Sequence, residues 1–107
     1  MAISIGIDIG SVSIKAAVVG TKEDEVLLKN LYSGKLFFPY NSIPEENDYF
    51  IVLSEYRRIK GQPLDAVENI LSSITEILGD TELCLAMTGS GGKLAGKRYN
   101  APVINEF

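Results

Sequence analysis

Hydrophobic and polar residues alternate over the first strand-like segment of the chain. Isoleucine occupies the odd positions from 3 to 9, and Ser4, Gly6 and Asp8 occupy the even positions between them. A period of two puts successive side chains on opposite faces of a β-strand. Residues 2–9 are therefore predicted to form a strand with one apolar face.

A second strand is predicted over residues 12–19, which are rich in valine, isoleucine and alanine. Gly10 and Ser11 separate it from the first strand, and so short a link is typical of a β-hairpin. The two strands should therefore be antiparallel neighbours.

Residues 21–34 give an ambiguous pattern. Thr21 with Asp24 three residues later is typical of a helix start, and Gly34 would then stand at the C-terminal end. The run "VLLKNLY" within the same segment also fits a strand, but the helix is favoured. Residues 39–48 contain two prolines and are interpreted as a loop.

Two further strands are predicted from apolar runs. Residues 49–59 ("YFIVLSEYRRI") carry the aromatic and β-branched residues favoured in strands, and strict alternation would put Glu55 and Arg57 on one water-facing side. Residues 82–87 ("ELCLAM") form a short continuous run, which is typical of a buried parallel strand. Cys84 within it is predicted to be a buried core residue.

The clearest helix in the sequence covers residues 64–78. Its apolar residues recur at spacings of three and four, as on one face of an α-helix. They are Leu64, Val67, Ile70, Leu71, Ile74, Ile77 and Leu78. Pro63 suits the first helical turn, and Gly79 is expected to end the helix.

The order of these elements predicts a mixed α/β sheet. Three antiparallel strands are followed by a crossover helix, which returns a fourth strand parallel to the first. Such sheets bind ligands at the carboxyl ends of strands, where the topology switches. Asp8–Gly10 and Thr88–Gly92 both stand at strand carboxyl ends, so we expect them to lie side by side.

Composition narrows the class of protein. The chain has 107 residues, enough for one small domain, and its net charge of −4 gives no basic footprint for nucleic acid. One cysteine and no histidine argue against a disulfide framework and a Cys/His zinc site, and they fit the reducing cytoplasm. No apolar run reaches the ~20 residues of a membrane span.

The first link carries the residue types of a phosphate site. Gly10 lets the backbone approach a ligand closely, and a tight turn points N–H groups into one concavity. Ser11 and Ser13 add hydroxyl donors, and Lys15 adds a cation. Asp8 repels phosphate but suits the Mg²⁺ that accompanies a nucleotide, held through water. A plain hairpin explains the same residues, since Asp, Gly and Ser are common in turns.

Residues 88–97 ("TGSGGKLAGK") follow the strand at 82–87 and are predicted to form a glycine-rich loop. Gly89, Ser90, Gly91 and Gly92 within it are interpreted as a turn lining the same cleft as Gly10. Gly91–Lys97 match the G-x-x-x-x-G-K of a P-loop, but Arg98 stands where Ser or Thr would hold Mg²⁺. Residues 99–102 predict no helix, so a P-loop is not favoured, and a plain connection stays open.

Several segments taken together resemble a known family. "IGIDIGSVSIKAAVV" resembles the first phosphate loop of the superfamily of acetate kinase, sugar kinases, Hsp70 and actin. With "SEYRRIKGQPLDAVENIL", "MTGSGGKLA" and "VINEF", it resembles the ATPase activators of 2-hydroxyacyl-CoA dehydratases, which are related to the ATPase subunits of benzoyl-CoA reductase. The resemblance covers residues 3–20 and 50–107. Residues 21–48 lie outside it and are interpreted as an insertion.

The resemblance implies an RNase H-like (actin-like ATPase) fold, with two halves that close on Mg-ATP. It also implies a homodimer holding one [4Fe-4S] cluster, in which ATP hydrolysis drives an electron to the dehydratase. Asp8 matches the catalytic, magnesium-associated aspartate of the family. The two phosphate-binding segments match at Gly10, Ser11, Ser13 and Lys15, and at Gly89, Ser90, Gly91 and Gly92.

Other parts of the family pattern have no counterpart in these residues. The cluster cysteines, the second phosphate loop and the adenosine site belong to later segments, and Cys84 does not match a cluster ligand. Residues 1–107 are therefore expected to be a partial N-terminal actin-like ATPase domain. A small-molecule kinase of the same superfamily and a non-enzymatic actin-like scaffold are the alternative functions.

Overall fold

A computed structural model describes residues 3–10, 12–31, 37–39, 49–55, 57–59, 62–79, 82–89 and 91–99. The strands are β1 (Ile3–Ile9), β2 (Ser13–Thr21), β3 (Phe37–Pro39), β4 (Tyr49–Ser54), β5 (Arg57–Arg58) and β6 (Leu83–Thr88). The helices are α1 (Glu25–Lys29), α2 (Pro63–Leu78) and α3 (Gly92–Tyr99), and one 3₁₀ turn covers Lys22–Asp24.

The strands form one mixed sheet in the order β3-β4-β2-β1-β6, and β5 pairs with β2. β1 and β2 are antiparallel, as are β2 and β4, whereas β6 runs parallel to β1 after the crossover through α2. The α/β fold class predicted from the sequence is confirmed, with its three antiparallel strands, crossover helix and parallel fourth strand.

The hydrophobic core lies on one face of this sheet, which we call the core face. The four isoleucines of β1 are at most 2% exposed, and α2 packs over them with its own buried residues. Those residues are Val67, Ile70, Ile74 and Leu78. The opposite face, which we call the outer face, carries Ser4, Gly6 and Asp8 of β1, all three of them exposed.

α2 has the bounds that its apolar spacing predicts. Pro63 is its first residue and Gly79 follows its last. Gly79 has a φ of 63°, a left-handed conformation that glycine adopts without strain. Its N–H donates to the carbonyl oxygen of Thr75 at 2.9 Å. None of the helices in the described part of the chain is long and apolar enough to cross a bilayer.

The favoured helix start at Thr21 is also found. The Asp24 carboxylate accepts hydrogen bonds from the Thr21 N–H at 2.9 Å and from the Thr21 hydroxyl at 3.1 Å. Gly20 faces this turn, where a Cβ would lie only 2.8 Å from the Asp24 Cβ. Glycine therefore lets the turn pack closely against β2. Gly34, the expected helix end, lies outside the described residues.

A β-bulge interrupts the third long strand and corrects the expected alternation. Ala17 pairs with Leu53, whereas Ile14 pairs with Arg57, so β4 and β5 together hold one more residue than β2 across this stretch. The buried Ser54 hydroxyl lies at the bulge and accepts the Ala16 N–H at 2.7 Å. The extra residue shifts Arg57 to the core side, so the prediction that it shares a water-facing side with Glu55 is wrong.

Two other expectations are wrong. Cys84 is exposed, because it is the register partner of Ser4 on the outer face, which no described residue covers. Residues 92–99 form α3, where the sequence pattern predicts a glycine-rich loop. Packing explains α3: Gly96 is buried, Tyr99 packs against the core, and these contacts outweigh the low helix propensity of glycine.

Candidate functional site

A row of three polar residues crosses the outer face at the carboxyl end of β1. Asp8 is the register partner of Lys15 on β2 and of Thr88 on β6. Register partners share a face of the sheet, with Cβ atoms about 4.5–5.5 Å apart. A carboxylate, an ammonium group and a hydroxyl are thus gathered on one edge from three strands.

The β1–β2 hairpin lies next to this row. The Gly10 N–H donates to the Ser13 carbonyl oxygen at 2.8 Å, which closes the turn. Ser13 stands on the same strand as Lys15 and two residues before it, so both lie on the outer face. The predicted hairpin is confirmed. Ser11 lies outside the described residues.

The bulge adds a second cation to this edge. The register partner of Ser13 is Arg58, and the Ile59 N–H donates to the Val12 carbonyl oxygen at 2.8 Å. Without the extra residue of the bulge, Arg57 would stand opposite Ser13. The exposed Arg58 therefore joins Lys15 on the outer face, beside the hairpin turn.

The second glycine turn touches the end of β1. The Gly91 N–H donates to the Ile9 carbonyl oxygen at 2.9 Å. Gly89 has a φ of 89°, and a Cβ there would lie 2.5 Å from Oδ1 of Asp8. Only glycine fits this position without strain. The two loops therefore lie side by side, as the switch in topology predicts, and the Asp8 carboxylate lies against the backbone of the second one.

An open cavity of about 320 Å³ runs along the outer face from this edge. Its floor is apolar and built from small side chains, because Ala17 and Ala86 are the register partners of Gly6. Asp8, Lys15 and Thr88 line it as well. The cavity thus combines a polar edge with a flat apolar floor.

The resemblance implies two bound groups, Mg-ATP and a [4Fe-4S] cluster, and the side chains at this edge suit the first of them. The described residues contain no cluster of three or more His, Cys, Asp or Glu side chains able to hold a metal by themselves. One carboxylate is enough for Mg²⁺ bound to a nucleotide, since this ion keeps several waters and takes oxygens from phosphate. Asp8 therefore fits a magnesium–phosphate complex, whereas the described residues hold no set of cluster ligands.

Most of the predicted site residues come together at this edge. They are Asp8, Gly10, Ser13, Lys15, Gly89 and Gly91, and α3 begins at Gly92. Ser90 lies outside the described residues. A P-loop over Gly91–Lys97 does not fit, because residues 92–99 are helical and Lys97 stands exposed in the last turn of α3.

Sequence reasoning predicted Thr88 beside Asp8 but missed Arg58. A signal for Arg58 was present. The apolar residues Phe50 and Val52 stand at even positions, and Ile59, which also packs against the core, stands at an odd one. That change of phase within a single strand indicates a bulge.

Comparisons with known proteins give a structural likeness among solved structures. No protein-family model matches the sequence, and no curated protein matches it. Among solved structures, the Ppx/GppA family member of Aquifex aeolicus aligns with a TM-score of 0.47 and 11% identity, over 98% of this chain and 35% of that one. The chain spans about a third of the length of that protein, and a likeness at this level identifies no family.

Proposed function

We propose that the carboxyl edge of the outer face binds the Mg²⁺ complex of a nucleoside triphosphate. The row of Asp8, Lys15 and Thr88 beside two touching glycine turns is the observation that supports this proposal. It combines an acceptor for the metal with cationic and hydroxyl donors for phosphate oxygens. Bound Mg²⁺ would neutralise the charge that phosphate presents to Asp8.

Each residue has a role that follows from its chemistry. Asp8 holds the hydrated metal through its carboxylate. Gly10 keeps the hairpin turn open to the phosphate chain, since a side chain there would stand between backbone and ligand. Lys15 and Arg58 attract the phosphate, and the Ser13 hydroxyl can donate to it. Gly89 keeps the second turn tight against the Asp8 carboxylate.

We further propose that the chain is part of an ATP-hydrolysing activator of a 2-hydroxyacyl-CoA dehydratase or a related CoA-substrate enzyme. The motifs "GIDIGSVSIKAAVV" and "MTGSGGKLA" support this finer proposal by resemblance. The described residues supply one wall of a two-lobed site, and hydrolysis needs groups that close over the phosphates from the other side. The 107-residue chain is therefore expected to bind ATP without turning it over. The [4Fe-4S] cluster and the homodimer around it belong to the longer protein.

Isothermal titration of the 107-residue chain with ATP, in Mg²⁺ and in EDTA, tests nucleotide binding. We expect a dissociation constant on the order of 1 mM that weakens when Mg²⁺ is removed. Asp8→Asn should abolish the difference between Mg²⁺ and EDTA. Asp65→Asn removes the same charge from an exposed position on α2 and should behave like the wild type. Full Mg²⁺ dependence in Asp8→Asn would refute the assignment.

A further inference from the structure

Ser54 is the one polar side chain that is buried in the described part of the chain, at 1% exposure. A hydroxyl in such a place costs stability unless it is hydrogen-bonded. The Ser54 hydroxyl makes two bonds, because it accepts the Ala16 N–H at 2.7 Å and donates to the Glu55 carbonyl oxygen at 3.2 Å. One bond reaches across to β2, and the other stays within the bulge. The hydroxyl therefore ties the bulge to the neighbouring strand.

The residues that follow Ser54 show what this tie controls. One extra residue in a strand moves every later side chain to the opposite face of the sheet. A regular strand would place Arg57 opposite Ser13 and turn Arg58 away from the outer face. The bulge instead pairs Arg58 with Ser13, on the face and next to the hairpin turn where Lys15 also lies. The phase of this strand thus decides which arginine stands at the proposed phosphate site.

We propose that Ser54 is a positioning residue for phosphate binding. Its buried hydroxyl holds the bulge, and the bulge directs Arg58 rather than Arg57 towards the ligand. Bulges beside binding sites commonly redirect a side chain in this way. Ser54 acts through Arg58 and does not touch the ligand, because it is buried on the core side of the sheet. This inference rests on the proposed function, since the direction of Arg58 matters only if this edge binds phosphate.

A purely structural role for Ser54 makes a different prediction. Loss of the hydroxyl would then lower the free energy of unfolding and leave the preference for Arg58 over Arg57 unchanged. A positioning role predicts that the preference itself is lost. The Ala16 N–H points at β4, so without the hydroxyl the bulged pairing is destabilised relative to a regular one, in which a backbone carbonyl would accept this N–H. In the regular pairing, Arg58 leaves the outer face.

Charge reversal at each arginine, measured by titration calorimetry of the 107-residue chain with Mg-ATP, separates the two roles. In the otherwise wild-type chain, Arg58→Glu should raise the dissociation constant about fivefold and Arg57→Glu less than about twofold. In the Ser54→Ala background, Arg58→Glu should lose this excess over Arg57→Glu. Ser73→Ala removes a hydroxyl that bonds within α2, and as the control background it should keep the excess. An excess that persists in Ser54→Ala would overturn the positioning role while leaving nucleotide binding intact.

Nuclear Overhauser effects between backbone protons test the register without nucleotide. The wild type should show the pairs Ser13–Arg58 and Ile14–Arg57, and Ser54→Ala should lose them. If Ser54→Ala fails to fold, Ser54→Cys takes its place in both measurements, because a thiol is only a weak acceptor. Pairs that are unchanged in the variant would overturn the proposal whether or not ATP binds. A wild-type chain that binds no Mg-ATP would overturn the proposed function, and the role of Ser54 in phosphate binding with it.

Discussion

The two faces of β1 come from one strand of seven residues and differ in their exposure to solvent. The isoleucine face is buried under α2 to 2% exposure or less, whereas Ser4, Gly6 and Asp8 are exposed. A Cβ at Gly6 would meet no heavy atom within 4 Å. One face therefore carries the stability of the domain and the other is free to carry its chemistry, so mutations on the two faces should have separable effects.

Ile7→Ala should show the largest effect. Ile7 is 0% exposed, and its truncation removes buried methyl groups and leaves a cavity, which costs about 2–5 kcal/mol of the free energy of unfolding. Asp8→Asn, at the next position on the other face, should change that free energy by less than ~0.5 kcal/mol. Urea unfolding measures both. Equal destabilisation by the two variants would erase the distinction between the faces.

Gly89→Ala should have the next largest effect on stability, because Gly89 packs closely against the end of β1. An alanine would be strained at a φ of 89° and would press on Asp8 and on the Ile9 backbone, costing about 3 kcal/mol. Gly79→Ala is the matched control: its φ is 63°, but a Cβ would meet nothing within 4 Å, so only about 1 kcal/mol should be lost. A larger fall in the thermal unfolding midpoint for Gly79→Ala than for Gly89→Ala would contradict the close packing of Gly89 against Asp8 and Ile9.

Ser54→Ala tests whether the bulge is held by its buried hydroxyl. Ser54 is 1% exposed, and its loss leaves the Ala16 N–H buried without a partner, at about 2 kcal/mol. Ser73→Ala removes a hydroxyl that bonds only within α2 and should be nearly neutral. Chemical unfolding of both variants gives the comparison, and a neutral Ser54→Ala would show that the N–H finds another acceptor.

The smallest effect should come from the arginine pair at the bulge. Arg58→Ala removes a cation from the outer face and should weaken Mg-ATP binding about two- to threefold, because an exposed charge contributes less than ~1 kcal/mol. Arg57→Ala changes the neighbouring residue, which lies on the core side, and should leave the affinity unchanged. Both are measured by titration calorimetry. A larger loss of Mg-ATP affinity in Arg57→Ala than in Arg58→Ala would contradict the assignment of Arg58 to the outer face and Arg57 to the core side.

Much of the fold can be predicted from the spacing of apolar residues, because this spacing shows which side of each strand or helix is buried. The odd isoleucines of β1 and the three- and four-residue spacings of α2 predict each element and its buried side. The hairpin follows from the short link at Gly10. The meeting of the Gly89 turn with Asp8 follows from chain topology, since a parallel return strand must end beside β1.

Two of the features that sequence reasoning missed are set by distant partners, and the third by a bulge within one strand. Cys84 sits in a continuous apolar run, yet it is exposed because β6 is an edge strand of the described sheet with an uncovered outer face. Arg58 reaches the site because one extra residue changes the phase of the strand. α3 contains glycines that favour a loop, and packing of Gly96 and Tyr99 makes it helical. The exposure of Cys84 and the helical state of residues 92–99 are not encoded in a window of a few residues, whereas the change of phase that moves Arg58 is visible within its own strand.

Amide chemical-shift mapping during titration with Mg-ATP tests the central claim most directly. The claim is that the carboxyl edge of the outer face, and not the rest of that face, binds the phosphates. We predict that the largest shift changes fall on Gly10, Ser13, Lys15, Gly89 and Gly91, and that Asp8→Asn loses them while keeping the wild-type spectrum elsewhere. Shifts centred on Ser4 and Val19 at the opposite end of the face, or shifts unchanged in Asp8→Asn, would contradict it.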